Sequence, residues 1–302
     1  MYQVLLFYKY TNVPSPVHVM RAQRKLCEKL NLKGRIIISN EGINGTLEGL
    51  KADTEKYISE MEKSEEFNGI VYKRSAGTGS AFPKLRVRAR PEIITSGIEG
   101  INPSVAAGKY LSAEELYNWF EAKKEFYVVD MRNDFEYASG YFEGFVPSGM
   151  QHFFELKDVL PHIEHLKGKT IVTVCTGGVR CEKASAFLLM SGFKDVYQLK
   201  DGIQTFMEKY PNKYFKGKLY VFDNRLTLAY NIDARDHLVV GSCFHCSASS
   251  DLYVNCEYNE CHKHYICCLS CRDKETGFAF CKDECKDKWK LISSMKSLPR
   301  NY

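Results

Sequence analysis

The stretch that decides the fold is Ile171-Val172-Thr173-Val174-Cys175-Thr176-Gly177-Gly178-Val179-Arg180, followed directly by Cys181–Met190. Residues 171–174 form a predominantly apolar run, typical of a strand that is buried on both faces of a parallel sheet. Residues 181–190 have the composition of a helix. The sequence therefore predicts a buried strand, a short glycine-containing loop and a helix, with a cysteine at the point where the strand ends.

This loop has the features of a thiolate site. Gly177 and Gly178 permit backbone angles that other residues avoid, so successive N–H groups can turn inward toward Cys175. The following helix N-terminus and the charge of Arg180 add positive potential, which favours the thiolate form. The alternative is a small buried cysteine beside a tight turn. We expect Cys175, as nucleophile, and Arg180 to be the catalytic residues, with Thr176, Gly177, Gly178, Val179 and Cys181 forming and supporting the loop.

The regions on either side of the loop alternate in the same way. Phe126–Val129 and Val196–Leu199 are predicted to be buried strands, and Ser112–Glu115 is a capping box that opens a helix through Phe120. This pattern indicates a mostly parallel sheet covered by helices. We assign residues 110–215 to this central α/β domain, after a linker at 95–109 that is rich in glycine. Asp130 and Arg132 follow the first strand, where they either support the loop or only neutralise one another.

The first 94 residues follow another pattern. Strands are predicted at Val4–Tyr8, Arg35–Ser39, Thr46–Leu47 and Gly69–Arg74, with turn formers at Asn40–Gly45 and an extension at Phe82–Ile94. Helices are predicted at Ser15–Leu30 and at Asp53–Met61, the second capped by Asp53 or Thr54. The order β-α-β-β-α-β predicts a ferredoxin-like α+β domain over residues 1–94.

A row of arginines lies in the extension. Arg86, Arg88 and Arg90 are spaced by two, so on a strand they share one face, and Lys84 continues the series. Such a face can bind the phosphates of a nucleic acid. The alternative is an ordinary solvated sheet face.

The C-terminal segment, residues 216–302, is rich in cysteine. The chain has 12 cysteines, and nine lie between Cys243 and Cys285. Paired cysteines at such spacings supply tetrahedral zinc ligands, so we expect structural zinc rather than disulfides; the alternative is reduced cysteine without metal. The expected metal ligands are Cys243, Cys246, Cys256, Cys261, Cys268, Cys271, Cys281 and Cys285, with Cys267, His245, His262 and His264 as spares.

Composition sets the remaining limits. The net charge of +5 is mild, and no apolar run approaches the length of a membrane span. The first residues have too short an apolar run for a signal peptide, so we expect a cytoplasmic protein. We find no glycine-rich fingerprint for a flavin or nicotinamide cofactor, and the sequence carries no signal for an oligomeric state.

The central domain resembles the rhodanese family. Val128–Arg132, followed by Glu136, Gly140 and Gly144, resembles its first signature, and the Cys175–Arg180 loop with Val196–Ile203 resembles its active-site half. The resemblance implies that Cys175 accepts sulfur as a persulfide. Dual-specificity phosphatases of this fold have a loop one residue longer, so the spacing here favours sulfur or nucleobase chemistry over phosphate ester hydrolysis.

Three motifs together are similar to those of the tRNA uridine hydroxylase family, which joins an acylphosphatase-like domain to a rhodanese domain. They are Ser39–Thr46, Phe82–Ile93 and Cys175–Lys183. The resemblance implies tRNA as substrate, molecular oxygen as co-substrate and 5-hydroxyuridine at the wobble position as product. Two alternatives stay open: a sulfurtransferase that uses a sulfur donor, and a zinc-stabilised RNA-binding or adaptor protein. Cys181 is expected either to resolve a species formed on Cys175 or only to face the core.

Overall fold

The computed structural model describes residues 1–296 of the chain. In chain order the strands are β1 Tyr2–Tyr10, β2 Lys33–Ser39, β3 Gly42–Leu50, β4 Lys73–Ala76, β5 Leu85–Ala89, β6 Lys109–Leu111, β7 Tyr127–Asp130, β8 Gly140–Phe142, β9 Val146–Pro147, β10 Thr170–Val174, β11 Asp195–Leu199, β12 Phe215–Gly217, β13 Leu219–Tyr220, β14 Thr227–Leu228, β15 Tyr253–Asn255 and β16 His264–Ile266. The α-helices are α1 Pro16–Lys29, α2 Lys51–Met61, α3 Ala113–Glu121, α4 Asp134–Tyr137, α5 Leu160–Ile163, α6 Val179–Met190, α7 Gly202–Lys209 and α8 Asp283–Lys296. Short 3-10 helices lie at Phe153–Val159, Glu164–Leu166 and Leu269–Cys271.

The N-terminal part has the predicted ferredoxin-like order, with a fifth strand added to the sheet. The strand order is β4-β1-β3-β2-β5, and β5 pairs in parallel with β2. Apolar side chains on one face, such as Phe7, Ile36 and Val87, form a core with Tyr57 of α2. The opposite face, which carries Leu6, Tyr8 and Ile37, is turned toward the rest of the chain.

Three local predictions for this part were wrong. The turn after β2 is confined to Asn40–Glu41, because the residues from Gly42 onward pair with β1 and β2 as a long strand. Helix α2 begins at Lys51 with Leu50 at its cap, and the Thr54 hydroxyl bonds back to the Lys51 carbonyl inside the helix instead of capping it. The strand predicted from residue 69 begins only at Lys73.

The central part is an α/β layer structure, as predicted. Its five strands run in the order β6-β11-β10-β7-β9, and every neighbouring pair is parallel. Two apolar cores cover the two faces of the sheet, one under α6 and one under α3 and α7. Ser112 and Glu115 form the predicted capping box at the start of α3. The carboxyl end of β10 therefore leads directly into the loop that contains Cys175.

The C-terminal part has little regular structure. It contains the small sheets β13–β14 and β15–β16, clustered cysteines and helix α8. Tyr253 of β15 attaches it to the central domain by donating a hydrogen bond from its hydroxyl to the Phe135 carbonyl. Within the C-terminal part, Tyr253 packs edge-on against Tyr220 of β13. Within residues 1–296, no helix is both long enough and apolar enough to cross a membrane.

Candidate active site

The site is built on the loop between β10 and α6. The backbone N–H of Gly178 donates to the Cys175 sulfur over 3.2 Å. Gly178 has φ of +102°, a conformation that L side chains rarely adopt, and a Cβ there would lie 2.8 Å from the Tyr8 hydroxyl oxygen. Both the turn and the close approach of β1 therefore require glycine at this position. The loop curls around the sulfur as the sequence predicted.

The surroundings of Cys175 favour its thiolate. Complete burial by itself raises the pKa of Cys175. A hydrogen bond from the Cys181 thiol, the positive charge of Arg180 and the N–H groups of Cys181 and Gly178 outweigh burial and lower this pKa to about 6. Burial raises the pKa of Cys181, and the contact with Cys175 raises it further, because the Cys181 thiol must keep its proton to donate it. Cys181 thus faces the reactive sulfur directly.

We expect the reactivity of Cys175 to follow this pKa. Only the thiolate is nucleophilic, so a group with a pKa near 6 gains about tenfold in alkylation rate between about pH 5 and about pH 7, and little above that. Mass spectrometry of iodoacetamide-labelled protein measures the rate at Cys175. In Cys181→Ala, which lacks the donated hydrogen bond, the midpoint should rise. A wild-type midpoint near that of an ordinary thiol would contradict the assignment.

Arg180 is held by a carboxylate that sequence analysis did not assign to the site. The two terminal nitrogens of Arg180 bond to the two carboxylate oxygens of Glu136, and one of these bonds measures 2.8 Å. Thr176 lies 3.3 Å from Arg180 and 3.4 Å from Glu136 through its hydroxyl. Glu136 is completely buried. Its place in the rhodanese signature was the signal that could have identified it.

Asp130 and Arg132 support the site indirectly. They form a fully buried ion pair, with 2.6 Å between Arg132 Nη2 and Asp130 Oδ2. Arg132 also donates to the carbonyls of Glu136 and Gly140. The pair therefore fixes the chain that carries Glu136, and the loop contact is made by Glu136 itself.

The N-terminal sheet covers the loop. The Tyr8 hydroxyl donates to Glu182 over 3.0 Å, and the Tyr10 hydroxyl donates to the Val179 carbonyl over 3.2 Å. Leu6 lies so close to Gly177 that a Cβ on this glycine would be 2.7 Å from Leu6 Cδ2. Strand β1 thus forms a roof over a loop that would otherwise face solvent, and Cys175 is fully buried.

A cavity opens beside this roof. A cavity of about 470 Å³ lies between the N-terminal sheet, the Cys175 loop and the residues that follow β13. This volume is within the usual range for small-molecule sites. Its lining includes Thr46 and Asn44 of β3, Cys175 and Arg180 of the loop, and Phe222. Cys175 thus borders a cavity that is large enough to admit a small-molecule group.

The arginine row borders this cavity. Arg86 is paired with Arg35 and Arg88 with Ile37 across β5 and β2, and both Arg35 and Ile37 line the cavity. Arg86 and Arg88 are exposed, as is Arg90, which also lines the cavity. From β1 to β5 the sheet face spans three strand spacings, roughly 14 Å. It leads from the covered loop to the exposed arginines.

Two other cations that lie close to these arginines in sequence do not join the row. Lys73 is buried and pairs with Asp201 over 3.2 Å, and Arg74 pairs with Glu55. Lys84 is exposed at a smaller cavity of about 220 Å³ that it shares with Arg35 and Arg86. The exposed cationic surface therefore consists of Lys84, Arg86, Arg88 and Arg90, with Arg35 added by the structure.

The eight expected metal ligands form two clusters of four. In each cluster the sulfur atoms lie within 4.8 Å of one another, and the members are Cys243, Cys246, Cys268 and Cys271 in the first and Cys256, Cys261, Cys281 and Cys285 in the second. Cysteine pairs thus alternate between the clusters along the chain. Cys267, His245, His262 and His264 belong to neither cluster.

The sulfur spacing within these clusters suits a tetrahedral metal. Zinc–sulfur bonds of about 2.3 Å in a tetrahedron place the sulfurs about 3.8 Å apart. The separations are 3.7 Å for Cys246–Cys268, 3.4 Å for Cys261–Cys281 and 3.7 Å for Cys281–Cys285. Both clusters could therefore bind a metal such as zinc.

Models of known protein families match three successive parts of the chain. Residues 2–93 match the UPF0176 acylphosphatase-like domain, residues 112–209 match the rhodanese-like domain, and residues 216–286 match the family described as rhodanase C-terminal. These matches agree with the ferredoxin-like sheet, the parallel sheet and the cysteine-rich part.

Curated relatives resemble the chain over nearly its whole length. A tRNA uridine(34) hydroxylase of Cytophaga hutchinsonii is 36% identical over 285 residues, which cover 94% of this chain and 90% of that protein. Proteins of the same name from Bacillus licheniformis and Bacillus cereus are 39% and 38% identical over 289 residues, again covering 94% of this chain, and 88% and 89% of theirs.

Proposed function

Because this chain belongs to the tRNA uridine(34) hydroxylase family, we propose that it hydroxylates the wobble uridine of tRNA with Cys175 as its nucleophile. The observation that carries this assignment is a thiol of lowered pKa at a cavity whose rim is the arginine-bearing face of the N-terminal sheet. The thiolate supplies the chemistry and the arginines supply contacts to the RNA backbone. A tRNA substrate also favours a cytoplasmic location.

The thiolate acts on the pyrimidine ring by addition. The Cys175 sulfur bonds to C6 of uracil, and the electron pair of the C5–C6 double bond moves toward the C4 carbonyl. This makes C5 electron-rich, so that it bonds to molecular oxygen, the co-substrate implied by the family resemblance, and takes up a proton to give a C5 hydroperoxide. An external two-electron reductant, such as a small thiol, converts the hydroperoxide to a C5 hydroxyl and water. Loss of the C5 proton then expels the Cys175 thiolate from C6 and restores the C5–C6 double bond. Arg180, held by Glu136, keeps positive charge beside the sulfur. The roof of β1 keeps bulk water away from it.

The two cysteine clusters hold structural zinc in this proposal. Four thiolates fill a tetrahedral shell and leave no open position for catalysis. Metal bound there stabilises a segment with a small apolar core.

A sulfurtransferase is the principal alternative, since the same thiolate could accept sulfur from a donor. The roof formed by Leu6, Tyr8 and Tyr10 argues against a protein donor, because its persulfide would have to enter through the cavity.

The deciding experiment is nucleoside mass spectrometry of unmodified tRNA after incubation with purified protein. Formation of 5-hydroxyuridine in air but not under nitrogen supports hydroxylation. Sulfur-containing nucleosides in the presence of a persulfide donor, without 5-hydroxyuridine, would favour the alternative.

The arginine row should contribute to tRNA affinity through phosphate contacts. In the triple variant Arg86→Ala, Arg88→Ala, Arg90→Ala we expect weaker binding and a flatter salt dependence, since each lost phosphate contact lowers the logarithmic slope by somewhat less than about one. A salt titration of tRNA binding measures both effects. Alkylation of Cys175 should be unchanged in this variant. An affinity equal to wild type at every salt concentration would return these arginines to an ordinary solvated face.

A further inference from the structure

Phe222 presents an aromatic ring to the cavity that neither the motifs nor the chemistry of the loop accounts for. It follows β13, lines the cavity and is 45% exposed, although it is a large apolar side chain. Its aromatic neighbours Tyr220 and Phe135 meet it edge-on, with interplanar angles of 82° and 81°. The Arg180 guanidinium carbon lies 5.8 Å from its ring centre. An open ring face thus stands beside the catalytic loop.

The segment that carries this ring is fixed to both neighbouring domains. Arg225 donates hydrogen bonds of 2.8 Å to the Ser75 hydroxyl and to the Ala76 carbonyl of the N-terminal sheet, and it also pairs with Asp223. Arg35 donates to the carbonyl of Phe222 itself. Tyr220 packs against Phe135 of the central domain. The ring is therefore held in position before any substrate arrives, which reduces the entropy cost of binding.

A polar group with an unused donor lies on the same cavity. Gln204 of α7 is 2% exposed and lines the cavity. Its side-chain amide lies beside the Tyr230 hydroxyl and interacts with it. An amide nitrogen carries two N–H groups, so at least one of them has no partner within residues 1–296. Buried polar groups are nearly always paired, so an unused donor on a cavity wall indicates a ligand acceptor. The backbone N–H of Gln204 bonds to the Thr176 carbonyl, which places this residue next to the Cys175 loop.

We propose that the cavity holds one pyrimidine base turned out of the RNA strand, stacked on Phe222, with a ring carbonyl accepting a hydrogen bond from Gln204. This inference rests on the proposed function and names the residues that bind the target base. Aromatic stacking holds single-stranded bases, and enzymes that act on a base take it out of its stack. The ring carbonyls of uracil match the free amide donor.

The smaller cavity binds the backbone phosphate of the same nucleotide. Arg35 lines both cavities, and Lys84 and Arg86 line the smaller one with it. Burial lowers the pKa of Arg35, and the positive charge of Arg86 lowers it further. The two cations are therefore held close together. Among residues 1–296 no ion pair joins Lys84 or Arg86 to a carboxylate within 4.0 Å. A phosphate in the smaller cavity would neutralise this cluster while its base enters the larger one.

The test compares Phe222→Leu and Phe222→Ala with Phe222→Tyr, which keeps the ring. Loss of stacking should lower kcat/KM on tRNA roughly 5- to 150-fold in the first two variants, and Phe222→Tyr should stay within about threefold of wild type. Gln204→Met, of similar volume, should lose roughly 2- to 12-fold. The pH midpoint of Cys175 alkylation, which reports the pKa of the thiol and not its accessibility, should be unchanged in all four. Equal kcat/KM for Phe222→Ala and wild type would overturn the proposal.

A binding measurement separates this proposal from the proposed function. Wild-type protein should bind an anticodon stem-loop with a wobble uridine more tightly than the same RNA with an abasic wobble position. Phe222→Ala should lose most of this preference and keep only the part that Gln204 supplies. This result needs no catalysis, so it stands even if no 5-hydroxyuridine forms. Lys84→Ala should flatten the salt dependence by somewhat less than about one while keeping the preference for the base. Wild-type protein that binds both RNAs equally would refute the base site.

Discussion

Replacing Cys175 by serine should reduce uridine hydroxylation by at least about a thousandfold, the scale seen when an enzyme loses its nucleophile. Serine keeps the size of the side chain, but its hydroxyl does not ionise near neutral pH. The hydrogen bonds and the Arg180 charge that lower the pKa of Cys175 then have no thiolate to stabilise. The measurement is the yield of 5-hydroxyuridine from unmodified tRNA, with persulfide formation on the protein followed in parallel.

Cys181→Ser is the matched control, because it also replaces a sulfur by an oxygen, in the thiol that faces Cys175. A serine hydroxyl can still donate a hydrogen bond to the Cys175 thiolate, so most activity should remain. Equal loss in both variants would mean that the two thiols act as a redox pair. Thermal unfolding and tRNA binding should match wild type in both variants, since serine is close to cysteine in size and its oxygen can accept the hydrogen bond from the Gly178 N–H. Full hydroxylation by Cys175→Ser would remove Cys175 from the mechanism.

The parts that the sequence could predict are those set by local pattern. Apolar runs predict the buried parallel strands, and the capping box of Ser112 and Glu115 predicts the start of a helix. The alternating arginines were placed on one face because side chains alternate along a strand. The loop around Cys175 was predictable because adjacent glycines, a strand end and a helix start leave few arrangements.

The parts that the sequence could not predict depend on which segments meet in space. Nothing near Phe222 indicates that it closes a cavity, because its partners Arg35 and Phe135 lie far away in the chain. The roof of Leu6 and Tyr8 is likewise made by contact between domains. Helix α6 shows weak amphipathicity for a related reason: the N-terminal domain and the central sheet bury it on all sides, including Lys183, which pairs with Glu41 and Glu92.

Cysteine spacing predicted which cysteines cluster but not how they are divided between the clusters. The spacing picked out the eight cysteines that form the two clusters, but four pairs can be divided between two clusters in more than one way. Only the fold decides that the pairs alternate, since the β15–β16 hairpin brings Cys268 and Cys271 back toward Cys243. It also decides that Cys267, the direct neighbour of Cys268, is a buried side chain that is not one of the four clustered cysteines, although its thiol approaches Cys243.

Removal of metal should unfold the C-terminal part while the central domain stays folded. We expect elemental analysis to give up to two zinc equivalents per chain, one for each cluster. Thiolate ligation couples metal binding to folding, and the apolar core around these cysteines is small. The buried strands of the central sheet have their own cores and need no metal. Limited proteolysis with a chelator should therefore cut within residues 241–296 first.

Two neighbouring cysteines provide the matched comparison. Cys268→Ser removes a ligand and should lower the zinc content to about one equivalent, whereas Cys267→Ser should keep both. Tyr253 and His264 of the β15–β16 hairpin stack on one another and meet the Tyr220 ring edge-on, so metal loss should also loosen the segment that carries Phe222. Chelation should then weaken tRNA binding without changing the alkylation of Cys175. A metal-free protein with a protease-resistant C-terminus, purified under reducing conditions, would refute the zinc assignment, because the cysteine-rich part would then be stable through its packing alone.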